Sequence, residues 1–133
     1  MGRAARNKGK NFERFCANSL KHRGFNARRG VQHNGLLDHD LKTDLPFNYE
    51  CKAVESLNIN KAYEQSVTDA AIDNSVPMVL HKKNNKEPLA TMSLRHYLDL
   101  LQWAVGVVDA YNSIDLDEAR KIYRAQFEGV EEL

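Results

Sequence analysis

Apolar residues recur at helical spacing near the start of the chain. Phe12, Phe15, Cys16 and Leu20 share one side, Ser19 stands at its edge, and Gly24 stops the run. This stripe predicts an amphipathic helix from about Lys10 to Arg23, preceded by a loose basic arm over residues 1–9. Beyond it the period shortens to two. Phe25–Val31, Leu36–Lys42 and Phe47–Val54 read as strands, separated first by Gly30 and Asn34-Gly35, then by Thr43, Asp44 and Pro46. The second break is a run of turn formers, short enough to close its two strands into a tight antiparallel hairpin. Asn60–Asn74 returns to helical spacing through Ala62, Val67, Ala70 and Ala71. Pro77–His81 is almost continuously apolar, which suits a strand buried on both faces. Lys82–Glu87 is a polar turn, and Pro88–Met92 its partner strand. Ser93 reads as the cap of a long helix through Leu94, Leu98, Leu101 and Trp103, and Asp115 as the cap of a last helix ending near Phe127. The order predicts an α/β fold of the α+β type, a mixed sheet flanked by helices.

The length of 133 residues and the hydrophobic content of 42% suit one domain over 1–133, with 94–133 as C-terminal helices. No apolar run approaches the roughly 18 residues of a membrane span, and the basic Met1–Lys10 segment has no apolar block behind it, so no secretory signal is expected. Cys16 and Cys51 lack metal-site spacing. They read as separate, reduced, buried thiols, as in a cytoplasmic protein. No glycine-rich phosphate loop ends in Lys-Ser/Thr, so no nucleotide cofactor is expected.

Charge changes the picture more. Met1–Leu36 holds nine Lys or Arg against the single acid Glu13, a net +8, while the rest of the chain carries −7. Interspersed charges would serve solubility better. A concentrated cationic segment is what phosphate binding uses, because each neutralised phosphate releases a counterion. Arg3, Arg6, Lys8, Lys10, Arg14, Arg28 and Arg29 are the candidate DNA-binding residues. The alternative is a solvated basic helix face without a partner.

Glu50 and Lys52 stand two apart on a strand, so both leave one face while Tyr49 and Cys51 point to the core. Alone, such a pair is usually a surface ion pair. The expected hairpin adds Asp40 opposite Glu50 or one place from it, about 5 Å away at Cβ. Two carboxylates that close are favourable with a cation between them, and hard oxygen ligands suit Mg²⁺ or Mn²⁺. Asp38 shares the strand face of Asp40, and a register slip would exchange them. Asp44 belongs to the turn.

His39-Asp40-Leu41 followed by Tyr49-Glu50-Cys51-Lys52 resembles the signature of the PD-(D/E)XK nuclease superfamily, with His39 where proline is often found. The opening Lys8-Gly9-Lys10-Asn11-Phe12-Glu13-Arg14 is similar to that of archaeal and phage Holliday-junction resolvases. The resemblance spans roughly Lys8–Met92. It implies a restriction-endonuclease-like core and an endonuclease hydrolysing phosphodiesters in branched DNA. Asp40, Glu50 and the Cys51 backbone carbonyl would hold Mg²⁺, with Glu13 joining them. Lys52 would orient water or counter developing charge. Gln65, on the following helix, could assist the site or be an exposed helix glutamine. The alternative for Glu13 is a helix ion pair with Lys10 or Arg14.

One site per chain and paired cuts in a four-way junction imply a two-fold homodimer, with the apolar C-terminal helix as an interface. Two rivals remain beside the resolvase. One is a related endonuclease acting on nicked, flapped or specific duplex DNA; the other is a non-catalytic DNA-binding module of the same fold. His33, His39, His81 and His96 have no mutual metal-ligand spacing. Trp103, with Leu100, Leu101 and Val107, reads as core or subunit interface.

Overall fold

The structure is a computed structural model and describes residues 2–30, 40–112 and 116–125. It falls into two units, Met1–Met92 and Ser93–Leu133.

The first unit begins with helix α1 (Arg3–His22), which buries Phe12, Cys16 and Ala17. Residues assigned from sequence to a loose arm are therefore helical. Arg3, Ala4, Ala5 and Arg6 are strong helix formers, and they carry the helix across Gly9 without a side-chain cap at Gly2. The helix ends where Gly24 takes φ +92°, a conformation natural to glycine. The chain then enters strand β1 (Ala27–Arg29), which pairs antiparallel with β2 (Leu41–Thr43). Strand β3 (Phe47–Ala53), helix α2 (Ile59–Asp73) and strand β4 (Val76–Lys82) follow as a parallel crossover, and β5 (Leu89–Thr91) adds antiparallel to β4. The expected mixed sheet with flanking helices is thus present. Val31, the Asn34-Gly35 turn, and Leu36–His39 with Asp38 lie outside the described residues.

The tight hairpin is a correction. Among the described residues β2 forms its ladder with β1, and β3 forms its ladder with β4. The turn formers redirect the chain between sheets instead. Asn26 donates to the Asp44 carboxylate at 3.0 Å, the Leu45 N–H donates to Thr43 Oγ1 at 3.1 Å, and the Val76 N–H donates to the Pro46 carbonyl at 2.8 Å. The last bond opens the parallel β3–β4 pairing, whose first pair is Phe47 with Val76.

The core has two sides. On one, Phe12, Cys16 and Ala17 of α1 meet Ala27, Leu41 and Tyr49. On the other, Ala62, Ser66 and Ala70 of α2 are buried, as is Val79 of β4. Those three small residues recur every four positions, which brings a helix close to its neighbour. Asn58 caps α2 by accepting the Lys61 N–H, and Asn74 ends it in the left-handed region. The turn between β4 and β5 contains left-handed Asn85.

The second unit holds α3 (Leu94–Asn112) and α4 (Leu116–Ala125). Ser93 Oγ accepts the His96 N–H, the capping bond expected of it. Leu94, Leu98, Leu101 and Trp103 are exposed. The proposed cap Asp115 and the helix end at Phe127 lie outside the described residues.

Candidate active site

Asp40 docks on the backbone edge of β3, and Glu50 stands on a face of the same strand. Asp40 sits just before β2, and the Gly30 N–H donates to its carbonyl at 3.0 Å, prolonging the β1–β2 ladder by one pair. Its side chain turns to β3, where Oδ2 accepts the Cys51 N–H at 2.8 Å. Asp40 thus joins the strands through a side chain, where the sequence suggested a backbone ladder. Glu50 and Lys52 share a face of β3, and Lys52 Nζ lies 3.2 Å from Glu50 Oε1. Tyr49 and Cys51 alternate with them, Tyr49 buried and Cys51 packed against the α1 core.

Glu13 arrives from α1. Its Oε2 accepts from Arg29 Nε at 2.8 Å across two partly buried side chains. Arg29, read from sequence as a DNA contact, is here the partner of Glu13, in place of Lys10 or Arg14. The half-buried position opposite Leu41 on the ladder is the signal for that inward role, and it needs the strand register to be seen.

Burial pushes the Asp40 carboxyl up to about 6. The Cys51 N–H opposes that shift, Glu50 and Glu13 add to it through their charges, and Lys52 offsets part. Asp40, Glu50, Glu13 and Lys52 therefore lie within one electrostatic neighbourhood. The donor chemistry fits a hard divalent cation: three carboxylates, one of them desolvated and disfavoured as a bare anion. As arranged, two of the three face internal cations. Among the described residues no three His, Cys, Asp or Glu side chains converge as a ready metal cage.

The two cysteines are a second correction. They are free, but they are neighbours: the Cys16 and Cys51 thiols share a hydrogen bond that lowers the pKa of Cys16 and raises that of Cys51. Thirty-five residues of separation hide the contact. Its trace in the sequence is that Cys16 follows Glu13 by one helical turn while Cys51 follows Glu50.

Arg3, Arg6, Lys10, Arg14 and Arg28 are exposed, and Lys8 lies 3.7 Å from Glu55. Arg3, Arg6, Lys10 and Arg14 follow one another at three- and four-residue steps, so they form one stripe along α1. Gln65 is exposed on α2, one residue from buried Ser66. His81 meets the Thr91 hydroxyl at 2.8 Å, and burial lowers its pKa. It serves the β4–β5 pairing, while His33 and His39 lie outside the described residues.

No protein-family model and no curated protein sequence matches the chain. Among solved structures, the chain is similar to Hjc of Archaeoglobus fulgidus, a Holliday junction resolvase from an archaeal hyperthermophile. The identity is 24% and the TM-score 0.48, covering 63% of this chain and 76% of that one.

Proposed function

We propose that the protein is a Mg²⁺-dependent (or Mn²⁺-dependent) endonuclease of the PD-(D/E)XK type that hydrolyses phosphodiesters in four-way branched DNA. The observation that carries this is Asp40: a half-buried carboxylate, held on β3 by the Cys51 N–H, whose pKa is raised by desolvation and by two further acids. A fold retains such a cluster at a loss of stability, which is characteristic of functional sites. Asp40, Glu50, Glu13 and the Cys51 backbone carbonyl would hold the ion. When bound, it supplies Lewis-acid polarisation of the phosphodiester and a more acidic water.

The chain's own groups do the rest. The Cys51 N–H fixes the Asp40 carboxylate. Lys52, the cation beside Glu50, positions the water or stabilises charge gathering on the phosphate. Arg3, Arg6, Lys10 and Arg14 grip the backbone, with Lys8 and Arg28 beside them. Arg29 holds Glu13 through their 2.8 Å ion pair. Phosphate contacts carry no base information, so DNA shape is what is recognised. Two cuts need two sites, and a homodimer built on the exposed apolar face of α3 supplies them. Among the described residues no helix is long and apolar enough to cross a membrane, and the free thiols suit a cytoplasmic setting.

The ion pairs on Glu13 and Glu50 favour one rival, a DNA-binding module without catalysis. Cleavage of a synthetic four-way junction and of linear duplex, each with Mg²⁺ and with chelator, separates the readings. The expected result is Mg²⁺-dependent cutting that prefers the junction and is lost in Glu50→Ala. A Glu50→Ala protein cutting at the unaltered rate overturns the catalytic assignment, and a monomer in sedimentation at micromolar concentration counts against paired cutting.

A further inference from the structure

Arg28 and Lys42 are Cα partners on the β1–β2 ladder, and both are exposed. Side chains so placed stand about 5 Å apart at Cβ, where like charges repel. Arg28 Nη1 donates to the Arg29 carbonyl at 3.2 Å, and among the described residues no carboxylate pairs with either cation. Both line an open hollow of about 540 Å³ together with Lys21, Phe25 and Thr43. The acid on its rim, Asp44, has its Oδ2 engaged by the Asn26 amide at 3.0 Å.

Lys21 ties this hollow to α1. It follows Arg14 by seven residues and Arg3 by eighteen, two and five turns on, so it prolongs the stripe of Arg3, Lys10 and Arg14. Between Glu13 and Lys21 the helix rises about 12 Å.

We propose that Lys21, Arg28 and Lys42 form a site for the DNA backbone beside the carboxylate cluster. This rests on the nuclease reading and extends it to Lys21 and Lys42. An anion between Arg28 and Lys42 converts their repulsion into two attractions, so the ladder is better satisfied occupied than empty. Phe25 gives the hollow an apolar wall for the sugar. The contacts are made to phosphate and are indifferent to base sequence.

The test is the salt dependence of binding to a fluorescent four-way junction, held uncut by chelator. Each lost phosphate contact lowers the slope of log K against log salt by about 0.9. Lys42→Gln is expected to lower it by about 0.9 and Arg28→Gln/Lys42→Gln by about 1.8. The melting temperature should stay level or rise, since the repulsion is relieved. Lys83→Gln, exposed in the β4–β5 turn, is the control and should leave the slope unchanged. A double variant with the unaltered slope overturns the proposal, as does a control that lowers the slope equally. An unsubstituted protein that binds neither junction nor duplex overturns the nuclease reading itself, a different outcome from either.

Discussion

Asp40→Asn tests whether the carboxylate cluster is maintained against folding. The amide keeps an oxygen for the Cys51 N–H and removes the charge that burial, Glu50 and Glu13 disfavour. The carboxyl pKa rises from 3.8 to about 6, and one unit is 1.36 kcal/mol, so ionised Asp40 lowers stability by about 3 kcal/mol at pH 8. Between pH 4 and 6 the native state holds a proton the unfolded chain has lost, so the stability associated with Asp40 falls as pH rises through that window. Only about 1 kcal/mol of the loss remains at pH 4.5. Urea unfolding followed by circular dichroism in chelator should therefore find Asp40→Asn more stable by about 2–3 kcal/mol at pH 8, and by clearly less at pH 4.5. Mg²⁺ should then raise the unfolding midpoint of the unsubstituted protein and leave that of Asp40→Asn unmoved, because an ion that binds only the folded state stabilises it. Equal stability of the two proteins at pH 8, or a difference that does not shrink in acid, would refute the reasoning.

Asn58→Ala removes the acceptor of the Lys61 N–H and should lower stability by about 1 kcal/mol, read as a lower urea midpoint with an unchanged m-value. Val79 is fully buried in the central strand. Val79→Ala deletes two methyl-sized groups and leaves a cavity, so a loss of about 2 kcal/mol is expected in the same assay. Burial pushes the Tyr49 phenol up to about 12. The folded state therefore favours the neutral phenol, and the stability tied to it is lost as pH rises through that value. Absorbance titration should find one tyrosine ionising well above the others, a lag that Tyr49→Phe removes.

The first helix, the face shared by Glu50 and Lys52, the buried alternation of Tyr49 with Cys51, and the Ser93 cap were all legible in the amino-acid order. Each depends on residues within a few positions of one another, where a period of 3.6 or 2.0 decides which side chains share a side. The parallel β3–β4 pairing, the link of Asp40 to β3 through its carboxylate, the union of Glu13 with Arg29, and the meeting of the two thiols were not. These join residues from 11 to 35 positions apart and depend on which strand edge each segment occupies. A short run of turn formers allows a hairpin and a change of sheet equally well. The choice between them was made by the Val76 N–H on the Pro46 carbonyl and by β1 taking the edge of β2. The chemistry of the site was thus present in residue types and local spacing, while its electrostatics belong to the tertiary structure, because only packing puts three carboxylates and one lysine into a shared, partly dry environment.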